Sequence, residues 1–294
     1  MKMKNKDVYL IITHNVDYTF NSLLELLDNE NNDIFIHMDK KTKELDIEYI
    51  KSIVNKSKIY FIDRTRCNWG GFSLVRAELT LLKEASKNNY RYYHLLSGQD
   101  LPIKNQNEIY NFFTNNYGKQ FIGLQNEKFQ HDENIKYYYP FQETLGRKSF
   151  KSIYGKIINK LSKIIQNIFK INRNKNISFQ KGDQWFSITD ELVKHILENE
   201  DKYTKIFKST YCPDEMFIQT IVINSKFKNI VYSYDYNSPK KSIKRLIDWN
   251  RGNPYVWRSE DFKELVESDA LFARKFDSNI DKEIIDKIKE YVSK

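Results

Sequence analysis

The sequence predicts an α/β fold, and three observations lead to that prediction. Short apolar runs typical of strands alternate with segments of helical apolar spacing over residues 7–124, the pattern of successive βαβ units. At 294 residues the chain can bury a large core without disulfides or metals. No repeat, low-complexity tract or Pro/Ser-rich linker divides it, so we predict a single domain over residues 1–294.

The predicted elements follow one another regularly through the first half of the chain. Strands are predicted at DVYLIITH (7–14), DIFIHMD (33–39), KIYFID (58–63), YYHLLSG (92–98) and KQFIGL (119–124). Helices are predicted between them at FNSLLELL (20–27), IEYIKSIV (47–54), FSLVRAELTLLKEAS (72–86) and EIYNFF (108–113). Residues 125–150 are polar and aromatic and are expected to form a long loop.

A basic amphipathic helix is predicted at about residues 152–175. Apolar side chains recur there at helical spacing, and lysines occupy the other side. The apolar positions are Ile157, Ile158, Leu161, Ile164, Ile165, Ile168 and Phe169. Such a helix could lie on an anionic membrane surface. A surface helix packed on its own domain explains the same pattern, and the sequence leaves both interpretations open.

Charge and cysteine content narrow the classes of partner. The formal net charge is +9, but lysine is spread along the whole chain and no nucleic-acid-binding motif is present. We therefore expect no nucleic-acid partner and favour an anionic small molecule or a lipid. Cys67 and Cys212 are too few for a disulfide framework and suit a reducing compartment. Without a signal peptide or an apolar run of about 20 residues, the protein is expected to be cytoplasmic, either soluble or peripheral on the inner face of the cell membrane.

Polar residues follow three of the predicted strands. Ligands of open α/β sheets bind beyond the carboxyl ends of the strands. His14 follows the first strand, Asp39 the second and Asp100 the fourth, so together they would line one edge, as a nucleotide site requires. Each of them alone is more often the start of a turn. Gly70 and Gly71 precede a helix but match neither GxGxxG nor GxxxxGK[ST], so a tight turn is favoured over a phosphate cradle.

Two carboxylates and a cationic segment remain as candidates for chemistry. The stretch CPDEMFIQT (212–220) puts Asp214 and Glu215 where a loop turns into a helix, either as helix-start residues or as a proton acceptor. Five scattered histidines and the lack of any Asp-x-Asp pair predict no metal and no cofactor. An enzyme that releases a diphosphate without a metal must neutralise it with fixed cations. The candidates, each of which has ordinary solvated charge as its commoner role, are Arg251, Arg258, Arg274 and Lys275.

Several motifs in a fixed order resemble those of one known family. They are HLLSGQDLPIKN (94–105), KGDQWFSIT (181–189), CPDEMFIQT (212–220), IDWNRGNP (247–254) and DALFARKFD (269–277), supported by FIHMDKKT (35–42) and WGGFSLVRAELTLL (69–82). They resemble glycosyltransferase family 14, which groups the core-2/I-branching β-1,6-N-acetylglucosaminyltransferases with the peptide xylosyltransferases. The resemblance covers roughly residues 7 to 277.

The resemblance implies a GT-A-like fold, a Rossmann-like mixed sheet flanked by helices, and an inverting, metal-independent transfer from a UDP-sugar to a glycan hydroxyl. Glu215 occupies the position of the family's general base, a role that supplies about 10²–10⁴-fold of rate. Arg258 and Lys275, with Arg274 adjacent, match the basic residues that replace the metal at the donor diphosphate.

Further positions carry expected roles through the same resemblance. Asp39 is similar in position to the acid that contacts the nucleoside, and His14 is grouped with it at the nucleotide site. Asp100 is expected near the donor sugar or the acceptor, and Trp185 of the QWF element on the acceptor side. Asp214 is expected near the sugars and, more specifically, as the N-cap of the helix that it opens.

The sequence also departs from the family pattern. Animal relatives carry a membrane anchor and many disulfides, whereas this chain is expected to be a bacterial cytosolic member that builds a surface polysaccharide on a lipid-linked acceptor. Asp183 stands where relatives often have Ser. N-acetylglucosamine is the first expectation for the donor sugar, with xylose or another hexose as the alternative. From a different class, the alternative is a non-catalytic basic module that binds membrane or nucleic acid on a transferase fold.

Overall fold

A computed structural model describes residues 6–43, 45–125, 129, 132–145, 151–236 and 239–294. The strands are β1 (Asp7–Thr13), β2 (Asn32–Met38), β3 (Lys58–Phe61), β4 (Tyr92–Ser97), β5 (Asp100–Pro102), β6 (Phe121–Ile122), β7 (Phe186–Thr189), β8 (Arg245–Ile247) and β9 (Phe272–Arg274). The helices are α1 (Tyr18–Leu27), α2 (Ile47–Ser52), α3 (Ser73–Ala85), α4 (Gln106–Asn115), α5 (Asp132–Lys136), α6 (Gln142–Leu145), α7 (Lys151–Ile168), α8 (Asp190–Glu198), α9 (Glu200–Phe207), α10 (Phe217–Ile223), α11 (Pro239–Ile243), α12 (Phe262–Glu267) and α13 (Lys282–Val292).

The main sheet has six strands in the order β3-β2-β1-β4-β7-β6. The first four of these run parallel, and β7 pairs antiparallel with both β4 and β6. A smaller sheet has the order β5-β9-β8. This mixed sheet flanked by helices confirms the predicted fold class, and the described residues form one α/β domain. The predicted domain bounds, residues 1–294, stay a prediction.

Both faces of the main sheet are covered, which is why its parallel strands read as continuous apolar runs. Side chains alternate along β1, so Val8 and Leu10 join the core on one face, with α3, α8 and α10. Tyr9 and Ile11 join the core on the other face, with α1, α4 and α13. The parallel strands are therefore buried on both faces, and their carboxyl ends share one edge.

The region predicted as a long loop contains two short helices, α5 and α6, in its described part. Residues 126–128, 130–131 and 146–150 of that predicted loop lie outside the described residues. The strand predicted at 119–124 is reduced to β6, because Gln120 forms an isolated bridge with Val231 instead. The predicted helix 152–175 ends at Ile168, and Lys170 then adopts a left-handed conformation with φ 51°.

Gly70 and Gly71 form the predicted tight turn. Gly70 has φ +72°, which glycine adopts without strain. The carboxylate of Glu143 accepts a hydrogen bond of 2.6 Å from the backbone N–H of Ser73, at the start of α3. A Cβ added to Gly71 would lie 2.9 Å from that carboxylate. An acidic side chain therefore occupies this helix N-terminus, as the helix dipole favours.

None of the helices in the described ranges is both long enough and apolar enough to cross a bilayer.

Candidate active site

The carboxyl ends of β1, β2 and β4 meet at one edge, so the three strand-end residues singled out in the sequence share that edge. The backbone N–H of Asp39 donates to the carbonyl of Thr13 at 2.8 Å. Asp39 is buried, and its carboxylate accepts a 2.8 Å bond from the N–H of Lys41, which closes the turn after β2. His14 is exposed, and its carbonyl accepts a bond of 2.7 Å from the hydroxyl of Thr42.

Asp100 is held by neighbouring groups on both of its carboxylate oxygens. One oxygen accepts from the N–H of Ser97 at 2.8 Å, and the other from the Ser97 hydroxyl at 2.8 Å and from Arg274 at 2.7 Å. Arg274 also donates to the Ser97 hydroxyl. Its guanidinium lies over the ring of Trp185, 4.7 Å from the centroid. Asp100 and Trp185, predicted on the sugar side, and Arg274, predicted at the diphosphate, therefore form one cluster.

Glu215 lies at the end of a short 3₁₀ turn, Pro213–Glu215, before α10. Its side chain is 37% exposed and forms a 2.9 Å ion pair with Lys181, which is 19% exposed. The carbonyl of Glu215 accepts a bond of 2.8 Å from the N–H of Gly182. The carboxylate is thus accessible to a ligand while a lysine fixes its direction.

The loop before Glu215 is anchored to the glycine turn. Cys212 adopts a left-handed conformation with φ 49°, which costs about 1–2 kcal/mol for a non-glycine residue. Its N–H donates to the carbonyl of Gly70 at 3.0 Å, so the surrounding structure fixes this conformation. Backbone conformations of this kind are often retained where they position functional groups.

The prediction that Asp214 caps the following helix is wrong. The chain first makes the 3₁₀ turn, α10 begins only at Phe217, and its N-cap Met216 provides no side-chain bond. One carboxylate oxygen of Asp214 is buried and has no hydrogen-bond partner among the described residues. Burial, assisted by the neighbouring Glu215 carboxylate, raises the pKa of Asp214 to about 7.

A second buried carboxyl group, Glu78 on α3, interacts electrostatically with Asp214. Glu78 accepts a bond of 2.7 Å from the side-chain amide of Gln184, and its other oxygen is buried without a partner in the part of the chain that the structure describes. Burial raises the pKa of Glu78 well above its ordinary value, and the charge of Asp214 adds to this effect. Two carboxyl groups close to the Glu215 segment, those of Asp214 and Glu78, therefore have raised pKa values, which favour the protonated state.

The basic residues predicted as diphosphate ligands differ in how many ion pairs they form within the protein. Arg251 bridges Asp248, Asp261 at 2.6 Å and Glu264 at 3.0 Å, so its charge is used within the fold. Arg258 is exposed, and its guanidinium has no ion-pair partner among the described residues.

Backbone bonds bring the segment of Arg258 beside the segment of Arg274 and Lys275. The N–H of Trp257 donates to the carbonyl of Lys275 at 3.0 Å, and its indole N–H donates to the carbonyl of Arg274 at 2.8 Å. The N–H of Phe276 donates to the carbonyl of Gln99 at 2.9 Å. The backbone at all three predicted diphosphate ligands therefore lies near the loop that carries Asp100.

Arg245 on β8 lies buried close to this cluster. Its guanidinium donates to the carbonyls of Leu95 at 3.2 Å and Phe186 at 2.7 Å, but its Nε meets no partner within the described ranges. Burial lowers the pKa of Arg245 to about 10, and the charges of Asp100 and Asp183 partly oppose that decrease. A buried cation therefore contributes positive potential under the site.

Sequence reasoning missed Lys181, Glu78 and Arg245 as parts of this site. Lys181 and Gln184 belong to the KGDQWF motif, which was the signal available for the first of them. Glu78 reads as an ordinary polar position of a helix, and Arg245 as one basic residue among many. Within the described ranges, no group of three or more His, Cys, Asp or Glu residues is arranged to hold a metal ion.

Comparisons with known proteins show which family the chain belongs to. The model of the Core-2/I-Branching enzyme family matches residues 8–269. Xylosyltransferase sqv-6 of Caenorhabditis briggsae is 25% identical over 278 residues, which cover 86% of this chain and 32% of that protein. The Bos taurus beta-1,3-galactosyl-O-glycosyl-glycoprotein beta-1,6-N-acetylglucosaminyltransferase is 24% identical over 300 residues, which cover 93% of this chain and 66% of that protein.

A solved structure, the apo form of mouse xyloside xylosyltransferase 1, is 12% identical and covers 91% of this chain and 97% of its own, with a TM-score of 0.38. The chain spans about a third of the length of the xylosyltransferase relatives that it matches. The family match over residues 8–269 covers most of the 294 residues, and the chain therefore belongs to the Core-2/I-Branching enzyme family.

Proposed function

We propose that the chain is an inverting glycosyltransferase that moves a sugar from a UDP-sugar to a hydroxyl of a glycan acceptor. The observation that carries the proposal is the accessible carboxylate of Glu215, oriented by Lys181. Trp185, four residues after Lys181, packs against the guanidinium of Arg274, one of the proposed diphosphate ligands. One short stretch of chain thus contacts both the proposed base and the proposed diphosphate site.

In this proposal Glu215 is the general base. Its carboxylate accepts the proton of the acceptor hydroxyl while that oxygen attacks the anomeric carbon of the donor sugar. The bond between that carbon and the diphosphate oxygen breaks, and UDP leaves on the opposite face with the bonding electron pair. One base and one displacement invert the anomeric centre without a covalent intermediate. Positioning such a base is worth about 10²–10⁴-fold in rate.

Fixed cations take the place of a metal in this proposal. The departing diphosphate gains negative charge, which positioned cations stabilise more strongly in a partly dry site than in water. The exposed guanidinium of Arg258 is available for direct contact, and Lys275 stands on the neighbouring segment. Arg274 shares its charge with Asp100, so we assign it to holding the cluster together as well as to the diphosphate. Asp39 and His14, at the ends of β2 and β1, would contact the nucleoside.

The donor is proposed to be UDP-N-acetylglucosamine, with UDP-xylose or another UDP-hexose as the alternative. A relative named as a xylosyltransferase and one named as an N-acetylglucosaminyltransferase match this chain at similar identity. The acceptor is proposed to be a glycan in bacterial surface polysaccharide synthesis, carried on a lipid, so that the enzyme works at the cytoplasmic face of a membrane. A GT-A-type donor site at the carboxyl ends of β1, β2 and β4 belongs to the same proposal.

The test is UDP release from a panel of UDP-sugars, with and without EDTA, by the wild type and Glu215→Gln. We expect slow hydrolysis of one donor, insensitive to EDTA, and a loss of at least 100-fold in the variant, which should still bind UDP. Inhibition by EDTA would contradict the role of Arg258 and Lys275. Activity of Glu215→Gln equal to that of the wild type would contradict the assignment of the base. Failure of the wild type to bind UDP or release it from any donor would favour a non-catalytic binding protein.

A further inference from the structure

Helix α7 turns its apolar stripe away from the protein. Six large apolar residues recur along it at helical spacing, and each is between 48% and 71% exposed: Tyr154, Ile157, Leu161, Ile164, Ile165 and Ile168. At 3.6 residues per turn these positions fall within an arc of roughly 100°. Phe169, directly after the helix, is 74% exposed. The exposed face of α7 is therefore the face that a globular protein usually buries.

Polar residues of α7 contact the rest of the chain instead. Gln166 is 6% exposed, and its side-chain amide accepts from the N–H of Tyr138 at 2.8 Å and donates to the carbonyl of Tyr138 at 3.0 Å. Asn159 donates to the side chain of Gln142 at 3.3 Å. These bonds fix the rotation of the helix about its axis. Helix α7 therefore packs on its own domain through polar residues, while its apolar stripe stays largely exposed.

The apolar surface extends beyond the helix into a groove. The groove has a volume of about 420 Å³ and lies between α7, at Ile158, Leu161 and Ile165, and the chain at Tyr138 and Phe141. Tyr138 and Phe141 are 46% and 48% exposed. A contiguous exposed apolar area of this kind is unusual on a soluble monomer and indicates an interaction surface.

Charge identifies the partner of this surface. Residues 151–175 contain six lysines and one arginine and no acidic residue. Lys160 and Lys170 are exposed, whereas Lys163 forms an ion pair of 2.6 Å with Glu133. Two copies of this face would bring like charges together, which opposes self-association. A surface with negative headgroups above an apolar layer satisfies the charges and the stripe together.

We propose that α7 and Phe169 form a lipid-binding face that lies in the plane of an anionic bilayer, with the apolar stripe inserted among the acyl chains. The inference rests on the part of the proposed function that puts the acceptor at a membrane, and adds the surface that makes the contact. It also assigns separate roles to the two kinds of side chain. The lysines attract the protein to the headgroups, and the apolar stripe holds it there by inserting among the acyl chains. The binding should therefore depend on both, and only the lysine contribution should be screened by salt.

The experiment is co-sedimentation of the full chain with vesicles of phosphatidylcholine alone or with phosphatidylglycerol added. The stripe variant carries Ile164→Gln, Ile168→Gln and Phe169→Gln, because glutamine keeps good helix propensity. Its matched control carries Ile47→Gln and Ile280→Gln, two exposed isoleucines elsewhere. The charge variant carries Lys160→Ser and Lys170→Ser, and its control Lys56→Ser and Lys263→Ser, all exposed in the wild type. Circular dichroism checks that each variant is folded.

We expect the wild type and both controls to sediment with anionic vesicles and the stripe variant to lose at least tenfold in affinity. The charge variant should lose affinity for anionic vesicles at low salt and differ little from the wild type at high salt. Stripe-variant binding equal to that of the wild type would overturn the proposal. The proposal would also be overturned if the wild type did not sediment with vesicles but eluted as a dimer on size exclusion, while the stripe variant eluted as a monomer. Donor hydrolysis in solution should be unchanged in all four variants, so loss of vesicle binding is separable from failure of the transferase proposal.

Discussion

The Nζ atom of Lys181 lies 2.9 Å from a carboxylate oxygen of Glu215, while the next residue, Gly182, donates its N–H to the carbonyl of Glu215 at 2.8 Å. Two consecutive residues of the KGDQWF motif therefore hold the side chain and the backbone of the proposed base. The same stretch continues to Trp185, which contacts Arg274. The KGDQWF motif thus links the proposed base, Glu215, to Arg274 at the proposed diphosphate site through a single short stretch of chain.

Removal of the lysine should disturb the proposed base without unfolding the protein. We expect Lys181→Met to lower kcat roughly tenfold to a hundredfold, because the Glu215 carboxylate loses its fixed direction. KM for the donor should change little, and Lys181→Arg should restore most of the rate. The control is Lys194→Met, which removes an ion pair of 2.9 Å between the exposed Lys194 and the buried Asp190 on α8. Steady-state kinetics decide the matter, and equal kcat for Lys181→Met and the wild type would refute the positioning role.

Alanine substitutions of Arg258 and Arg251 should have opposite effects: the first should lower donor turnover, and the second should lower the free energy of unfolding. Arg258→Ala should leave the free energy of unfolding within about 0.5 kcal/mol, because the side chain is exposed and has no ion-pair partner among the described residues. Donor turnover should fall by about 10²–10³-fold if the guanidinium stabilises the diphosphate. Arg251→Ala should instead cost about 1–2 kcal/mol, because three carboxylates lose their partner. Urea unfolding and UDP release measure both effects, and the reverse pattern would exchange the two roles.

The sequence predicted the sheet because burial on both faces makes parallel strands uniformly apolar, as β1 and β2 are. It predicted the shared edge of Asp39 and Asp100 because the ends of parallel strands must coincide. It also predicted the order of the first four helices, with ends displaced by a few residues. These features depend on local composition and on general rules of sheet topology, which a single sequence contains.

The missed features depend on contacts between distant parts of the chain. The pairing of Lys181 with Glu215 is one such contact, and the Glu78–Gln184 bond is another. The orientation of α7 could not be predicted, because a helix with a buried apolar stripe and one with an exposed stripe have the same apolar period. Asp214 was wrongly expected as an N-cap because Asp is a common residue there, whereas the intervening 3₁₀ turn moved the helix start to Phe217.

The buried carboxyl group of Asp214 should make stability depend on pH in a defined direction. Its pKa is raised from 3.8 to about 7, chiefly by burial and then by Glu215. Between these values the folded protein holds a proton that the unfolded chain has released, so stability falls as pH rises through this window and is level above it. Asp214→Asn removes this titration. We expect the variant to be more stable than the wild type at about pH 8, by about 2–4 kcal/mol, and the advantage to shrink towards about pH 5.

Chemical denaturation of both proteins across this pH range measures the effect. Asp201→Asn, a change at an exposed carboxylate on α9, is the control and should show no such trend. A constant difference between Asp214→Asn and the wild type at all pH values would mean that the buried carboxyl group does not titrate in this window.

Gly182 should be the least replaceable residue of the KGDQWF motif. A Cβ built there would lie 1.8 Å from the carbonyl oxygen of Gly123, and neither backbone can yield without separating the end of β6 from residues 181–185. We expect Gly182→Ala to cost about 3 kcal/mol or more of unfolding free energy and to lower kcat by displacing Lys181 from Glu215. Gly118→Ala is the control, because its Cβ would meet nothing within 4 Å and only its φ of +92° costs about 1–2 kcal/mol. Thermal unfolding and donor hydrolysis distinguish them: equal loss of stability in both, with kcat intact in Gly182→Ala, would show that the close backbone approach does not position the proposed base.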